Sequence, residues 1–382
     1  MKLNIPEYVK KVVDTLEQKG YEAYVVGGAV RDAMLGKIPE DWDVATNALA
    51  KQTGECFERH FDTGIKHGTV TVLMDHKPVE VTTYRVDGEY KDNRRPESVK
   101  FTENIEDDLK RRDFTINAMA YSEERGLLDL YGGSKDLEEK IIRCVGDADT
   151  RFNEDALRIM RAIRFSVKLG FEIDDETMTA IKKNCKLLEN ISGERIQAEL
   201  VKTLEADRDI TILFKSGVAE VIMPEVDFEK ISLNVRGDVE IKLSAMLYYC
   251  ENPRGFFNRL KFDNRTKNNV LKIMECARYD VEESLYGVKK ILNRYGETLF
   301  EKALCIMECY GKNTDVLREF ENVAKQQPYL IKHLCISGND ITGLGITGQS
   351  VGRVMNTLMD DVMKNPQHNT REYLTTMAMK IK

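Results

Sequence analysis

The chain has 382 residues, more than one hydrophobic core usually spans, so the length predicts two or more domains. Hydrophobic residues make up 42% and charged residues 32%, a balance typical of a folded globular protein and not of a disordered one. The formal net charge of −7 argues by itself against a nucleic-acid partner, although a local basic surface can still bind phosphates. No apolar run reaches the roughly 18 residues of a membrane helix, so we expect no membrane partner.

Cysteine and histidine are scattered in a way that excludes two classes of site. The eight cysteines contain no Cys-x-x-Cys pair, which predicts free buried thiols in a reducing cytoplasm and no disulfide framework. No histidine lies between residues 77 and 332, which excludes a histidine-rich metal site in the middle of the chain.

The predicted elements change in character along the chain. An amphipathic helix opens it, because four apolar residues fall on one face: Val9, Val12, Val13 and Leu16. Three strands are predicted next, at 21–26, 68–74 and 78–85, with a hairpin turn between the last two. From about residue 150 helical periodicity replaces the strand pattern, which indicates a small α/β head followed by a long helical part.

A pair of glycines lies where the first strand is expected to pass into a helix, in the sequence G-G-A-V-R-D at 27–32. Glycines at such a turn let a phosphate approach the backbone, and the helix N-terminus offers unpaired N–H donors. Arg31, one turn into the helix, can reach the same anion. An ordinary tight turn explains the pattern equally well when it is taken alone.

Acidic residues follow the predicted helix. Asp41 and Asp43 would share one face of a strand, with Trp42 directed at the core. Two carboxylates that lie so close raise each other's pKa unless a cation lies between them, and Mg²⁺ prefers such oxygen ligands. Glu80, in the third strand, is either exposed or a third carboxylate of a two-metal site for phosphoryl transfer. For an isolated Asp-x-Asp, a solvated acidic turn is the alternative.

The order of these motifs resembles the polymerase-β-like nucleotidyltransferase superfamily, and three longer segments extend the resemblance to the class II tRNA nucleotidyltransferase and bacterial poly(A) polymerase family. The three segments occupy 111–120, 154–165 and 194–200. The resemblance implies an α+β chain with a polymerase-β-like catalytic head and then all-helical neck, body and tail. The expected bounds of these four parts are 1–148, 149–208, 209–311 and 312–382.

The segment 154–165 is expected to form one helix, in which Asp155 and Arg158 lie three residues apart on one face. Cytosine and adenine each present an amino donor beside a ring-nitrogen acceptor, which suits an aspartate acceptor and an arginine donor. Uracil and guanine present the opposite polarity, and each buried polar group left unpaired costs about 1–3 kcal/mol. The pair can therefore select C and A, as the resemblance implies. A surface ion pair between the two is the structural alternative.

The resemblance also implies the remaining contacts to the nucleotide. They are assigned to Gly28, Arg31, Arg112, Asp113, Arg161 and Arg164. Asp113, which precedes a helix-like run, is expected to hydrogen-bond the ribose 2′-hydroxyl. Asn117, Glu194 and Arg195 are expected to support the fold.

The implied reaction is attack by an RNA 3′-hydroxyl on the α-phosphate of CTP or ATP, with release of pyrophosphate. Asp41 and Asp43 would hold Mg²⁺, while Glu80 would activate the hydroxyl or complete the metal site. The helical parts would recognise the acceptor arm and 3′ end of tRNA by shape and phosphate contacts.

Several members of the family remain open on this evidence. One adds C, C and A to tRNA, others add only CC or only A, and another is a poly(A) polymerase. A non-catalytic RNA-binding relative is disfavoured by the intact Asp41 and Asp43. The segment 86–96 resembles a loop that CC-adding relatives lack, and 337–356 resembles the tail of the CCA group in Gram-positive-type bacteria. The oligomeric state is not indicated.

Overall fold

The computed structural model describes residues 2–88, 90–91, 95–96, 99–206, 208–232 and 235–381, which fold into two units. The first unit is Met1–Pro224 with Arg259–Lys261, and the second is Glu225–Asn258 with Phe262–Lys382. The finer division into four parts stays a prediction. Residues 89 and 92–94 of the expected loop at 86–96 lie outside the described residues.

The first unit contains all the described strands. They are β1 (Ala23–Val26), β2 (Asp43–Thr46), β3 (His60–Gly64), β4 (Thr69–Met74), β5 (Lys77–Thr83), β6 (Arg85–Asp87), β7 (Tyr90–Lys91), β8 (Arg95–Pro96), β9 (Val99–Phe101), β10 (Met119–Ser122), β11 (Gly126–Asp129), β12 (Ile141–Ile142) and β13 (Glu172–Ile173). Its helices are α1 (Glu7–Gln18), α2 (Gly28–Met34), α3 (Ala50–Cys56), α4 (Ile105–Lys110), α5 (Gly133–Glu139), α6 (Ala148–Glu154), α7 (Leu157–Leu169), α8 (Asp175–Asn184), α9 (Gly193–Glu205), α10 (Thr211–Lys215) and α11 (Val218–Ile222).

Seven of the strands form one sheet in the order β11-β10-β1-β2-β5-β4-β3. β1 is antiparallel to both β10 and β2, whereas β2 and β5 run parallel. The predicted strands at 21–26, 68–74 and 78–85 are confirmed as β1, β4 and β5. The hairpin turn between β4 and β5 is confirmed too, with Asp75 and His76 at φ values of 50° and 62°.

The N-terminal helix α1 packs as its sequence predicts. Its four predicted core residues are all buried. A small core on one face of the sheet includes Tyr24, Tyr84 and Leu109, so that β1 and α4 are held together behind the segments that carry the charged motifs.

The helix-like run predicted after Asp113 is wrong. A single 3-10 turn, Thr115–Asn117, is followed by strand β10, which hydrogen-bonds to β1 on one side and β11 on the other. Met119 and Ala120 have good helix propensity, but they are fully buried in the sheet, and that tertiary environment outweighs local preference.

The described part of the second unit is entirely helical. Its helices are α12 (Val239–Met246), α13 (Pro253–Arg259), α14 (Asn264–Arg278), α15 (Leu285–Tyr295), α16 (Glu297–Cys309), α17 (Asp315–Ala324), α18 (Gly338–Gly343), α19 (Gln349–Lys364) and α20 (Arg371–Ile381). Helix α12 and helices α14 to α20 share one large apolar core, which includes Phe300, Leu304 and Leu358. None of the described helices combines the length and apolar character needed to cross a membrane.

Candidate active site

A cavity of about 770 Å³ lies in the first unit, between the sheet and helices α7 and α9. All but one of the site residues predicted from the sequence line it. The lining includes Gly28, Arg31, Asp41, Asp43, Arg112, Asp113, Asp155, Arg158, Arg161 and Arg164. Glu80 does not line it, although it is close to one residue that does. Five separate parts of the chain are therefore brought to one place.

The turn between β1 and α2 forms one wall of the cavity. Gly27 has a φ of 70°, a backbone conformation that favours glycine, and a Cβ added there would lie 2.7 Å from Arg112 Nη1 and displace that guanidinium. Arg31 is buried, and its guanidinium donates to both Asp32 oxygens at 2.9 Å and to Asn117 Oδ1 at 2.7 Å. The turn thus fixes two arginines beside the cavity.

Asp41 and Asp43 lie at the start of β2, a central strand of the sheet that begins at Asp43. The intervening Trp42 is buried, as predicted. Asp43 is in register with Glu80 on the parallel strand β5. Burial raises the pKa of Asp43, the charges of Glu80 and Asp41 raise it further, and Arg112 opposes them. Within the described residues neither Asp41 nor Asp43 makes a salt bridge, so their charges are not compensated by a direct partner.

This pair of carboxylates fits a divalent cation. Oxygen ligands with uncompensated charge are what Mg²⁺ takes, usually as one or two carboxylates completed by water and substrate phosphates. Among the described residues no three histidine, cysteine or acidic side chains converge into a metal site. Glu80 is exposed and in register with Asp43, and its part in a metal site stays a prediction.

The base-selecting segment is interrupted, so the prediction of one helix over 154–165 is wrong. Helix α6 ends at Glu154, Asp155 is extended with φ −136° and ψ 104°, and α7 begins at Leu157. The Asp155 carboxylate accepts from Leu157 N at 3.1 Å and forms a salt bridge with Arg195 at 2.8 Å. These two contacts stabilise the break in place of a continuous helix.

Arg158 is held by a different set of contacts. Its Nη1 donates to Glu154 Oε2 at 2.6 Å, and its Nη2 donates to the Arg111 carbonyl at 3.0 Å. A surface ion pair between Asp155 and Arg158 is therefore not what holds them, since each side chain is paired elsewhere. Both remain on the wall of the cavity.

Asp113 is buried at the centre of the site. Its Oδ1 accepts from Phe114 N at 2.9 Å and Asn117 Nδ2 at 3.2 Å, while Oδ2 accepts from Arg161 Nε at 2.7 Å. Burial alone would raise the pKa of Asp113, but the charge and hydrogen bonds of Arg161 and the bond from Asn117 lower it to about 2. Asp113 is a fixed anion, and its contact with a ribose hydroxyl stays a prediction.

The cavity wall also includes residues that were not assigned a nucleotide contact from the sequence, among them Arg195, Phe165, Lys168 and Ile38. Arg195 was expected to support the fold, and it does so within the site, through Asp155. Phe165 and Lys168 follow Arg161 at spacings of four and seven, so helical periodicity places them on the same face. Ile38 carried no sequence signal.

The head fold and the charged cavity define a nucleotidyltransferase. The family model described as "Poly A polymerase head domain" matches residues 23–143, and the one described as "Probable RNA and SrmB- binding site of polymerase A" matches residues 170–229. The predicted α+β class with a polymerase-type head is thereby confirmed.

Relatives identify the family more narrowly. The CCA-adding enzyme of Bacillus cytotoxicus is 34% identical, over 94% of this chain and 95% of its own. That of Streptococcus suis is 38% identical over 82% of each chain. The crystal structure of the Bacillus stearothermophilus CCA-adding enzyme in complex with CTP matches with a TM-score of 0.83 at 29% identity, covering 98% of this chain and 96% of that one. The chain belongs to the family of CCA-adding enzymes, which generally depend on a divalent metal.

Proposed function

We propose that this protein adds C, C and A in turn to the 3′ end of tRNA in the cytoplasm, taking the nucleotides from CTP and ATP and releasing pyrophosphate. One observation carries the proposal: a single cavity holds both an uncompensated carboxylate pair, Asp41 and Asp43, and a fixed acceptor–donor pair, Asp155 and Arg158. The first suits phosphoryl transfer, and the second suits recognition of C and A.

Base choice follows from the orientation of the second pair. Arg195 holds the Asp155 carboxylate, which accepts from the amino group of cytosine or adenine. Glu154 and the Arg111 carbonyl hold Arg158, which donates to the adjacent ring nitrogen. Uracil and guanine would set acceptor against acceptor and donor against donor. Because both side chains are held before the base arrives, they cannot turn away to accommodate the wrong one.

The nucleotide's phosphates and sugar meet the neighbouring wall. The arginines of the cavity bind the triphosphate, with the backbone at Gly28 close enough for phosphate approach. Asp113 is an anion at neutral pH and accepts from the ribose 2′-hydroxyl, which favours ribonucleotides. The base is thus read by one group of residues and the polyphosphate is held by another.

Asp41 and Asp43 would hold Mg²⁺, which supplies Lewis-acid polarisation of the α-phosphate and a lower pKa for the attacking hydroxyl. The RNA 3′-oxygen forms its bond to the α-phosphorus as the bond to the bridging oxygen of pyrophosphate breaks. In this proposal Glu80 accepts the hydroxyl proton, and its exposure and its register with Asp43 support that role. The helical parts recognise the acceptor arm of tRNA through its shape and phosphates.

The decisive experiment uses a tRNA transcript that lacks its CCA end, incubated with CTP, ATP or both and resolved on a sequencing gel. We expect two additions with CTP alone and three with both nucleotides. A long tail from ATP alone would identify a poly(A) polymerase. A stop after two additions in the presence of both nucleotides would identify a CC-adding enzyme, and extension only of transcripts that already end in CC would identify an A-adding enzyme.

A further inference from the structure

One aromatic ring in the cavity wall is surrounded by arginines. The Cζ atoms of Arg164, Arg31 and Arg161 lie 4.2, 5.1 and 5.4 Å from the centroid of the Phe165 ring. All three distances fall within the roughly 6 Å over which a cation interacts with an aromatic face. Phe165 is only 5% exposed, and it packs edge-on against Phe114 at 5.8 Å between centroids.

The three arginines come from two distant helices and bear the same charge. Arg31 lies on α2, whereas Arg161 and Arg164 lie on α7, and the ring is close to all of them. Burial and the charge of Arg161 together lower the pKa of Arg164, against the opposing charge of Glu199. Three guanidinium groups gathered around one ring repel one another, and an anion bound beside them would relieve that repulsion.

Each arginine already has one carboxylate partner, at 2.9 Å for Arg31 with Asp32, 2.7 Å for Arg161 with Asp113 and 2.6 Å for Arg164 with Glu199. A guanidinium has five N–H donors, and one carboxylate engages at most two of them along one edge. An aromatic ring packed against a guanidinium limits rotation of that group about the edge that binds the carboxylate. The ring therefore determines the direction of the remaining N–H donors.

We propose that Phe165 is a positioning residue that turns Arg31, Arg161 and Arg164 toward the triphosphate of the incoming nucleotide. The inference rests on the proposed function and adds to it the group that orients the phosphate-binding arginines. A triphosphate carries oxygens that accept from the donors these arginines do not use on their carboxylate partners. It is also common to CTP and ATP, so Phe165 acts equally on both and has no part in the choice of base.

The variant Phe165→Leu keeps an apolar side chain and removes the aromatic face. We expect the KM for CTP and the KM for ATP to rise by the same factor, about tenfold, because the binding lost is shared by ground and transition states. The kcat, the KM for tRNA and the preference for C and A over U and G are expected to stay within about twofold. Inhibition by inorganic tripolyphosphate, which has no base, should weaken by the same factor as CTP binding.

Fluorination of the Phe165 ring distinguishes the positioning of the arginines from a role in packing alone. Fluorine withdraws electron density from the aromatic face and changes the shape of the ring little. Phenylalanines bearing one, two and three fluorines at position 165 should raise the KM for both nucleotides step by step, while the thermal midpoint of unfolding stays constant. The same series at Phe152, which is fully buried in α6, is the matched control and should leave the KM unchanged.

Equal KM values across the series at position 165 would overturn the inference and leave Phe165 a packing residue, as would a Phe165→Leu effect on only one nucleotide. The proposed function fails separately, in the unmodified protein, if that protein adds no nucleotide to a tRNA lacking CCA. A graded loss in a protein that adds C, C and A supports both.

Discussion

Asp41 and Asp43 lie close together without a salt bridge in the described residues, whereas Asp155 and Arg158, which line the same cavity, each pair with a group of opposite charge. The difference suits two kinds of work. Charge left uncompensated favours a cation that binds there, while paired charges hold donors and acceptors in a fixed direction before the ligand arrives. The proposed function therefore assigns chemistry and selection to separate groups.

The largest effect should come from changing either of the two carboxylates that lack a salt bridge. Asp41→Ala or Asp43→Ala should reduce nucleotide addition to background, because either change removes a proposed metal ligand. The free energy of unfolding should not fall, since the loss of one carboxylate relieves repulsion in the absence of metal. Gel assays of addition and urea unfolding measure the two quantities.

Asp62→Ala, on the edge strand β3, is the matched control for this change, because it removes an exposed aspartate away from the cavity and should leave addition intact. Near-normal incorporation by either Asp41→Ala or Asp43→Ala would remove the metal-site proposal.

The next largest effect should come from changing the salt-bridged residue Arg158. Arg158→Ala should relax discrimination, so that UTP and GTP are incorporated at least about tenfold more readily relative to CTP and ATP, because the misfit depends on its fixed donors. The ratio of kcat/KM values for CTP and UTP checks this. Arg143→Ala, which breaks ion pairs with Asp136 and Asp174 outside the cavity, should leave the ratio unchanged. Loss of activity through unfolding alone, with selectivity intact, would contradict the assignment.

A smaller effect on base selection is expected when only the salt bridge between Asp155 and Arg195 is removed. Arg195→Ala leaves Asp155 in place and removes the salt bridge that orients it, so discrimination should fall by roughly threefold to tenfold. Arg195→Lys keeps the positive charge and should retain part of the discrimination between bases. Glu194→Ala changes the exposed neighbour and serves as the control, measured by the same kcat/KM ratio. An Arg195→Ala protein that selects like the unmodified one would show that Asp155 needs no partner.

The smallest effect concerns stability in acid. The pKa of Asp113 is about 2 in the folded protein against an ordinary value of 3.8, so the carboxylate contributes stability above about pH 4 that is lost as the pH falls toward 2. The expected contribution is about 2 kcal/mol. Asp113→Asn should therefore show a shallower fall in the free energy of unfolding between pH 5 and pH 2. An identical slope in both proteins would contradict the fixed anion.

The sequence locates most of the cavity, because its charged motifs are local and long enough to recognise. The helix α1 and the hairpin between β4 and β5 are also local and form as predicted. The break at Asp155 could not be foreseen, since its flanking residues favour helix and its partner Arg195 lies forty positions away. Phe165 reads as an ordinary core position of an amphipathic helix, and only the fold brings Arg31 against it.

The most direct test of the division between chemistry and selection measures binding in the absence of metal. CTP, ATP, UTP and GTP are titrated into the unmodified protein in the presence of a chelator, and binding is followed by tryptophan fluorescence, because the chain's one tryptophan, Trp42, lies between Asp41 and Asp43. CTP and ATP should bind at least about tenfold more tightly than UTP and GTP although no addition occurs. Equal binding of all four nucleotides, with a preference that appears only when Mg²⁺ is restored, would contradict the account.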